Sequence, residues 1–337
     1  MSLKKFMESM LPAIESELQR QVGRLDEAHT RPFYEMLTYH MGWTGDGAGP
    51  AATGKRIRPL MLLMTVSACD TEWLYAVPAA VAVELVHNFS LVHDDIQDNS
   101  EKRRGRATIW KLWGVAMAIN AGDALFVQSN LAIMDLRNRY PAETVVKAAT
   151  VLHDTSLDLT RGQFLDMSYE KRLDLRVEDY WPMIAGKTAA LLSACCHIGS
   201  ILGGADQGRQ DAFRSFGHAL GIAFQVQDDI LGIWGDETIT GKSAASDLLE
   251  GKKSLPVLHG LSKGGKFAKR WTKGPIQPDE VEEIAQLLAT EGSYEYTHGI
   301  SRQMTTMALN SLREADPQGE AGEALMELAN QLIKREQ

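Results

Sequence analysis

Along nearly the whole chain, from about residue 4 to residue 334, apolar side chains return every three to four positions, and alternating Val/Ile/Thr runs are scarce. A chain patterned this way must bury one stripe of every helix, and packing on other helices meets that demand. An all-α bundle is therefore expected. The spacing predicts one or two helices within 4–40 and others over 59–69, 75–98, 112–137, 142–170, 182–202, 207–235, 278–289, 294–313 and 319–334. A Gly/Pro-rich loop is expected over 41–54, and breaks over 99–106, 203–204, 236–251 and 262–266. The 337 residues contain no internal repeat or long linker, so a single domain over 1–337 is the economical reading.

Composition excludes several classes. The net charge of −9 and pI near 5.5 disfavour nucleic acid, whose phosphates are held by positive patches. The apolar stretch "AVPAAVAV" at 76–83 stops at Glu84, short of the roughly 20 residues of a membrane span. The start "MSLKKFMESMLPAIE" lacks a secretory h-region, which makes the cytoplasm the expectation. Cys69, Cys195 and Cys196 form no disulfide framework or metal spacing and are expected to act as small buried apolar residues.

Charge is concentrated at two helix ends. In "LVHDDIQDNSEKRRGRAT" (91–108), Asp94 and Asp98 lie four residues apart, hence on one helical face, with Asp95 beside them. A helix C-terminus already carries partial negative charge, so carboxylates crowded there call for a cation, and Mg²⁺ is commonly held by a few carboxylates plus phosphate and water. One such end is also what a solvated surface provides. A second, "FQVQDDILGIWGD" (224–236), repeats it with Asp228 and Asp229, and Gln225 precedes them on the same face. Two such ends could confront each other across a bundle and share metal ions. Cations recur beside them: Lys55, Arg56 and Arg58 in "GKRIRP", Arg103 and Arg104, Lys187 in "AGKTAALL", and Lys242 and Lys252 in "TGKSAASDLLEGKKSLP". Such a mixture fits a diphosphate gripped partly through metal and partly by side chains. No Walker A loop, dinucleotide turn or Ser/His/Asp triad is visible, so metal-assisted departure of a diphosphate is the expected chemistry.

The motifs from "GKRIRP" to "GKKSLPVLHG", residues 54–260, resemble those of the trans-isoprenyl diphosphate synthases, in the same order. The resemblance implies an all-α bundle around a deep central cleft, normally a homodimer, joining isopentenyl diphosphate head to tail to an allylic diphosphate with three Mg²⁺ ions. By motif it assigns Asp94, Asp98, Asp166 and Asp228 to the metals, with Asp95 and Asp229 completing the aspartate pairs. Arg103, Lys187, Gln225, Lys242 and Lys252 match allylic diphosphate contacts. Lys55, Arg58, His87 and Arg104 match the isopentenyl diphosphate site, while Thr188 and Gln163 match positions near the reacting atoms. His93 is read as structural.

Two departures stand out. The usual last aspartate of the second motif is Gly232, leaving Asp236 as the next carboxylate, and Gly232→Asp is expected to have only a modest effect. Ala107 replaces the usual proline after "RRGR", from which a looser loop is expected. Phe89 and Ser90 match chain-length positions, a pairing most like synthases of geranylgeranyl diphosphate, with farnesyl diphosphate second. A class I terpene cyclase needs no second diphosphate site, and a non-catalytic subunit should have lost its aspartates. Both are weaker readings.

Overall fold

The computed structural model describes residues 2–235 and 245–333, and it is helical almost throughout. In chain order the main helices are α1 (Ser2–Val22), α2 (Arg31–His40), α3 (Ile57–Ser67), α4 (Val77–Gln97), α5 (Val115–Met134), α6 (Ala142–Tyr169) and α7 (Val177–Ile184). They continue as α8 (Ala190–Leu202), α9 (Gln207–Trp234), α10 (Leu255–Ser262), α11 (Val281–Thr290), α12 (Ser293–Glu314) and α13 (Gly319–Ile333). Most lie where the periodicity predicts. The additional short helices at Pro50–Thr53, Ile109–Trp113, Ser246–Leu249 and Lys266–Trp271, and α10 itself, are too brief to show a repeating stripe.

The chain divides into two compact units, each assembled from three segments. The first comprises Met1–His153, Cys195–Gln210 and Pro317–Leu325. In it α3 is buried on every side from Pro59 to Val66, and α4 is buried along nearly all of Val77–Val86, as expected of helices apolar all round. α1 adds Met10, Ile14, Leu18 and Val22, which stack four apart on one face. Within this core Arg56, held at a left-handed φ of 50°, reaches Glu15 of α1 at 2.7 Å and Glu84 of α4 at 2.8 Å.

After α4 the chain closes a two-stranded antiparallel ribbon, β1 (Lys102–Arg103) and β2 (Arg106–Ala107). Its turn residues Arg104 and Gly105 both have positive φ, 51° and 77°, as a two-residue hairpin turn requires. The loop is thus tighter than expected: Ala107 pairs with Lys102, and its carbonyl accepts the Tyr39 hydroxyl at 2.9 Å.

The second unit comprises Asp154–Ala194, Asp211–Asp316 and Met326–Gln337. One of its cores gathers Tyr180, Ile184, Val226, Ile230, Leu255 and Leu258, and another gathers Ile233, Leu248, Val257, Phe267 and Leu288. α9 contributes to both, so its end is anchored on two sides.

Two stretches, Trp73–Gln97 and Val177–Leu202, are long and apolar enough to span a membrane, though 67% and 56% of their apolar windows are buried inside the protein. Their apolarity therefore serves the core. Cys195 and Cys196 are buried as expected, while Cys69 is only partly so.

Candidate active site

In the first unit, α4 delivers the acidic cluster at its C-terminus. Asp98 caps the helix, its N–H donating to the Asp94 carbonyl at 2.8 Å, so the two carboxylates stand one turn apart at the helix end. Asp95 between them points elsewhere. Its side chain is 3% exposed and its Oδ1 accepts from Arg103 Nε and Nη2, both at 2.8 Å. Burial raises the Asp95 pKa above the ordinary aspartate value against the pull of Arg103. Arg103 thereby ties the ribbon to α4. Arg104, at the ribbon's tip, donates to the Ala52 carbonyl at 2.8 Å and lays its guanidinium against Gly54.

Lys55 is exposed at the head of α3, and Arg58 Nη1 lies 3.3 Å from His87 Nε2. Burial, with Arg58 next, holds the His87 pKa well below the usual histidine value, so this imidazole is neutral. A pocket in the same unit is lined by Tyr39, His40, Asp95, Arg103 and Arg104. His40 had no sequence signal. Its Nε2 is buried without a hydrogen-bond partner, and burial followed by the charge of Arg104 lowers its pKa to about 3.

Phe89 packs against Phe126 of α5 and against His93, with ring centroids 5.0 Å apart in each case. His93 Nε2 lies 3.2 Å from the Ile119 carbonyl, in keeping with a structural role. Ser90 Oγ donates to the His87 carbonyl at 2.8 Å.

In the second unit, a π-helical turn at Ala185–Ala189 joins α7 to α8 and carries Lys187 and Thr188. Such insertions recur at functional sites. Gly162 and Gly186 let this turn approach α6: a Cβ on Gly162 would lie 2.1 Å from the Lys187 nitrogen. The approach brings Lys187 Nζ onto Asp166. Gln163 lies one turn before Asp166 on α6.

Thr188 donates to Gln225 Oε1 at 2.8 Å, and Gln225 Nε2 donates to Asp229 Oδ1 at 3.0 Å. Asp229 also accepts from the Tyr180 hydroxyl at 2.7 Å and from the Leu255 N–H at 2.9 Å. Burial raises its pKa to about 7 despite those three donors. Asp229 is therefore a brace joining α9 to α7 and to the start of α10.

Lys252 contacts Asp247 at 3.3 Å and Glu250 at 2.8 Å. Burial works against its charge, but the two carboxylates outweigh it and raise its pKa above the ordinary lysine value. Lys242 and Asp236 lie outside the described residues.

At Gly232 an ideal Cβ would lie 2.4 Å from Asp247 Oδ2, so a side chain there requires the Asp247 carboxylate to shift. Tyr180 carries no sequence signal for its role, because it lies 49 residues from the Asp229 that it supports.

Among the described residues, no three carboxylate, imidazole or thiol side chains already converge at metal-ligand spacing. The donor set nonetheless fits Mg²⁺. Asp94 and Asp98 offer hard oxygen ligands at an accessible helix end, and Mg²⁺ keeps waters and phosphate oxygens rather than requiring an all-protein cage.

A family model described as polyprenyl synthetase matches residues 49–289. The (2E,6E)-farnesyl diphosphate synthase of Mycobacterium tuberculosis (strain ATCC 25618 / H37Rv) is 35% identical over 329 residues, covering 95% of this chain and 89% of that protein. The geranylgeranyl diphosphate synthase of the same strain is 42% identical over 241 residues, covering 71% and 68%. The crystal structure of a geranylgeranyl pyrophosphate synthetase from Pyrococcus horikoshii Ot3 aligns with a TM-score of 0.88 at 34% identity, covering 99% of this chain and 98% of that one. On its motifs, its all-α fold and these matches, the chain belongs to the polyprenyl synthetase family.

Proposed function

We propose that this prenyltransferase joins isopentenyl diphosphate head to tail to an allylic diphosphate, and that its product is geranylgeranyl diphosphate. The observation that carries the reading is a division of labour within the aspartate pairs. Asp95 and Asp229 are buried and spent on braces, while Asp94, with Asp98 one turn on, lies in a more accessible position at the helix end. Asp94, Asp98, Asp166 and Asp228 would hold magnesium, with three ions proposed. Bound Mg²⁺ supplies Lewis-acid stabilisation of negative charge on a diphosphate.

The protein's own groups do the rest. Lys187 and Lys252, each already positioned by a carboxylate, are assigned to the allylic diphosphate, and Arg103 orients the ribbon beside it. Lys55, Arg58 and Arg104 are assigned to isopentenyl diphosphate, with neutral His87 as a hydrogen-bonding partner. The Thr188–Gln225–Asp229 chain fixes the groups nearest the reacting carbons. Preorganised charge of this kind is often the largest catalytic contribution.

Product length rests on Phe89 and Ser90, the aromatic closing the hydrocarbon path and the serine leaving room beside it. Farnesyl diphosphate is the second reading, because the M. tuberculosis relative covering 95% of this chain is named for it. A cytoplasmic homodimer is also proposed. Val115, Met117, Ile119, Val127, Leu131 and Met134 of α5 are 42–55% exposed, an apolar surface that a second copy would cover. Incubation with isopentenyl diphosphate, a five-carbon allylic primer and Mg²⁺, then chromatography of the dephosphorylated alcohols, tests the reading. A twenty-carbon linear alcohol is expected; a fifteen-carbon end product would move the assignment to farnesyl diphosphate, and cyclic products would overturn it.

A further inference from the structure

Arg56 stands between Lys55 and Arg58, yet its side chain is turned inward and only 2% exposed. Two carboxylates engage its fork. Nε donates to Glu15 Oε1 of α1 at 2.7 Å, and Nη1 donates to Glu84 Oε1 of α4 at 2.8 Å. Each acceptor has a second donor, Trp43 Nε1 on Glu15 Oε2 at 3.0 Å and Asn88 Nδ2 on Glu84 Oε1 at 3.1 Å. The clamp also holds the Arg56 backbone at a left-handed φ of 50°, a conformation that a residue other than glycine keeps only when its surroundings impose it.

Arg58 and Arg104 are the opposite case, for among the described residues neither forms an ion pair with a carboxylate. Arg58 meets neutral His87 at 3.3 Å and has a buried Nε without a hydrogen-bond partner, while Arg104 donates to the Ala52 carbonyl. Glu84 is nevertheless within electrostatic reach of both. Desolvation lowers the pKa of each guanidinium, and the charge of Glu84 is the largest influence in the other direction. Glu84 lies one turn before His87 on α4, and a free carboxylate at that place would pair with Arg58 and compete with an anionic ligand.

We propose that Arg56 is a positioning residue that sequesters Glu84 and Glu15, keeping Arg58 and Arg104 unpaired for the diphosphate of the isopentenyl substrate. A rigid guanidinium fork suits this role, because it satisfies two carboxylates at once in a fixed geometry. An arginine that enters binding unpaired forms its charge-assisted bonds to phosphate without first breaking an ion pair, so the effect falls on affinity for that substrate.

This inference rests on the reading of Arg58 and Arg104 as isopentenyl diphosphate contacts, and the experiment separates the two. Binding of isopentenyl diphosphate to the full chain is measured by isothermal titration calorimetry without an allylic substrate, so that no turnover occurs. Arg56→Gln frees Glu84 to take Arg58 and should weaken binding about tenfold or more. Glu84→Gln alone should bind as tightly as wild type or more tightly, and Arg56→Gln/Glu84→Gln should return to within about threefold of wild type, a residue of under about 0.7 kcal/mol. A purely architectural ion pair gives the reverse order, with the double variant no better than Arg56→Gln. Unchanged affinity in Arg56→Gln, or no recovery in a double variant whose melting is cooperative, would overturn the proposal alone. Should Arg56→Gln fail to melt cooperatively, Glu84→Gln decides, since weaker binding in that variant also overturns the proposal. Unchanged binding in both Arg58→Gln and Arg104→Gln would overturn the reading of the site, and this proposal with it.

Discussion

The phenol of Tyr180 donates to Asp229 at 2.7 Å, and the same carboxylate takes the Leu255 N–H and the Gln225 amide, so one member of the second aspartate pair is engaged inside the protein. Its neighbour Asp228 is assigned to metal. The two should respond differently to replacement. Tyr180→Phe should lower stability by about 1.5–3 kcal/mol, the worth of a hydrogen bond to a charged group, and Asp229→Ala by more. Urea unfolding checks this; equal stability in both variants would contradict the brace.

Asp94→Ala and Asp228→Ala should lower kcat by orders of magnitude in a protein that still unfolds cooperatively. Chelator should abolish activity, and excess Mg²⁺ should restore it. Full activity in either variant would remove that aspartate from the metal set.

Arg56 and Glu84 form an ion pair with side chains only 2% and 4% exposed. Removing one partner of such a pair strands a buried charge, at a cost of about 3–5 kcal/mol. Arg56→Ala should therefore unfold at markedly lower denaturant. A joint Arg56→Met/Glu84→Leu replacement should recover part of the loss, as a double-mutant cycle would show.

His40 gives a pH dependence with a definite sign. Its folded pKa of about 3 lies below the ordinary value of 6.5, so below pH 6.5 the unfolded chain binds a proton that the native protein refuses. Stability should thus fall by up to about 1.4 kcal/mol per pH unit from this group as pH drops below 6.5, levelling only near 3. His40→Gln should flatten that slope between pH 6.5 and 5 in thermal melts. An unchanged slope would place the titration elsewhere.

Lys55→Ala and Arg104→Ala should raise the KM for isopentenyl diphosphate about tenfold or more, with a smaller change for the allylic substrate, since each ten-fold step is only about 1.4 kcal/mol of lost contact. Initial rates with each substrate varied in turn decide it. Phe89→Ala should lengthen the product beyond twenty carbons. Phe126 packs on the same ring at 5.0 Å, so Phe126→Ala should shift the distribution in the same direction.

Much of this protein was legible in its sequence for a physical reason. Helices are local, so the three-to-four spacing located α4, α6, α9, α12 and α13 close to their observed ends. The acidic ends of α4 and α9 could be read because like charges crowded on one helical face require a counterion whatever the fold. What the sequence could not decide was the use of each carboxylate. Asp94 and Asp95 are adjacent letters, yet Arg103 claims one through a ribbon closed by Arg104 and Gly105. Asp229 is claimed by Tyr180, 49 residues away. At Gly232, where the sequence lacks the usual aspartate, tertiary packing sets the Asp247 carboxylate against the backbone. Local pattern records which groups share a helix face; which partner desolvates, braces or displaces each of them is decided by contacts between distant segments, and these exist only once the chain has folded.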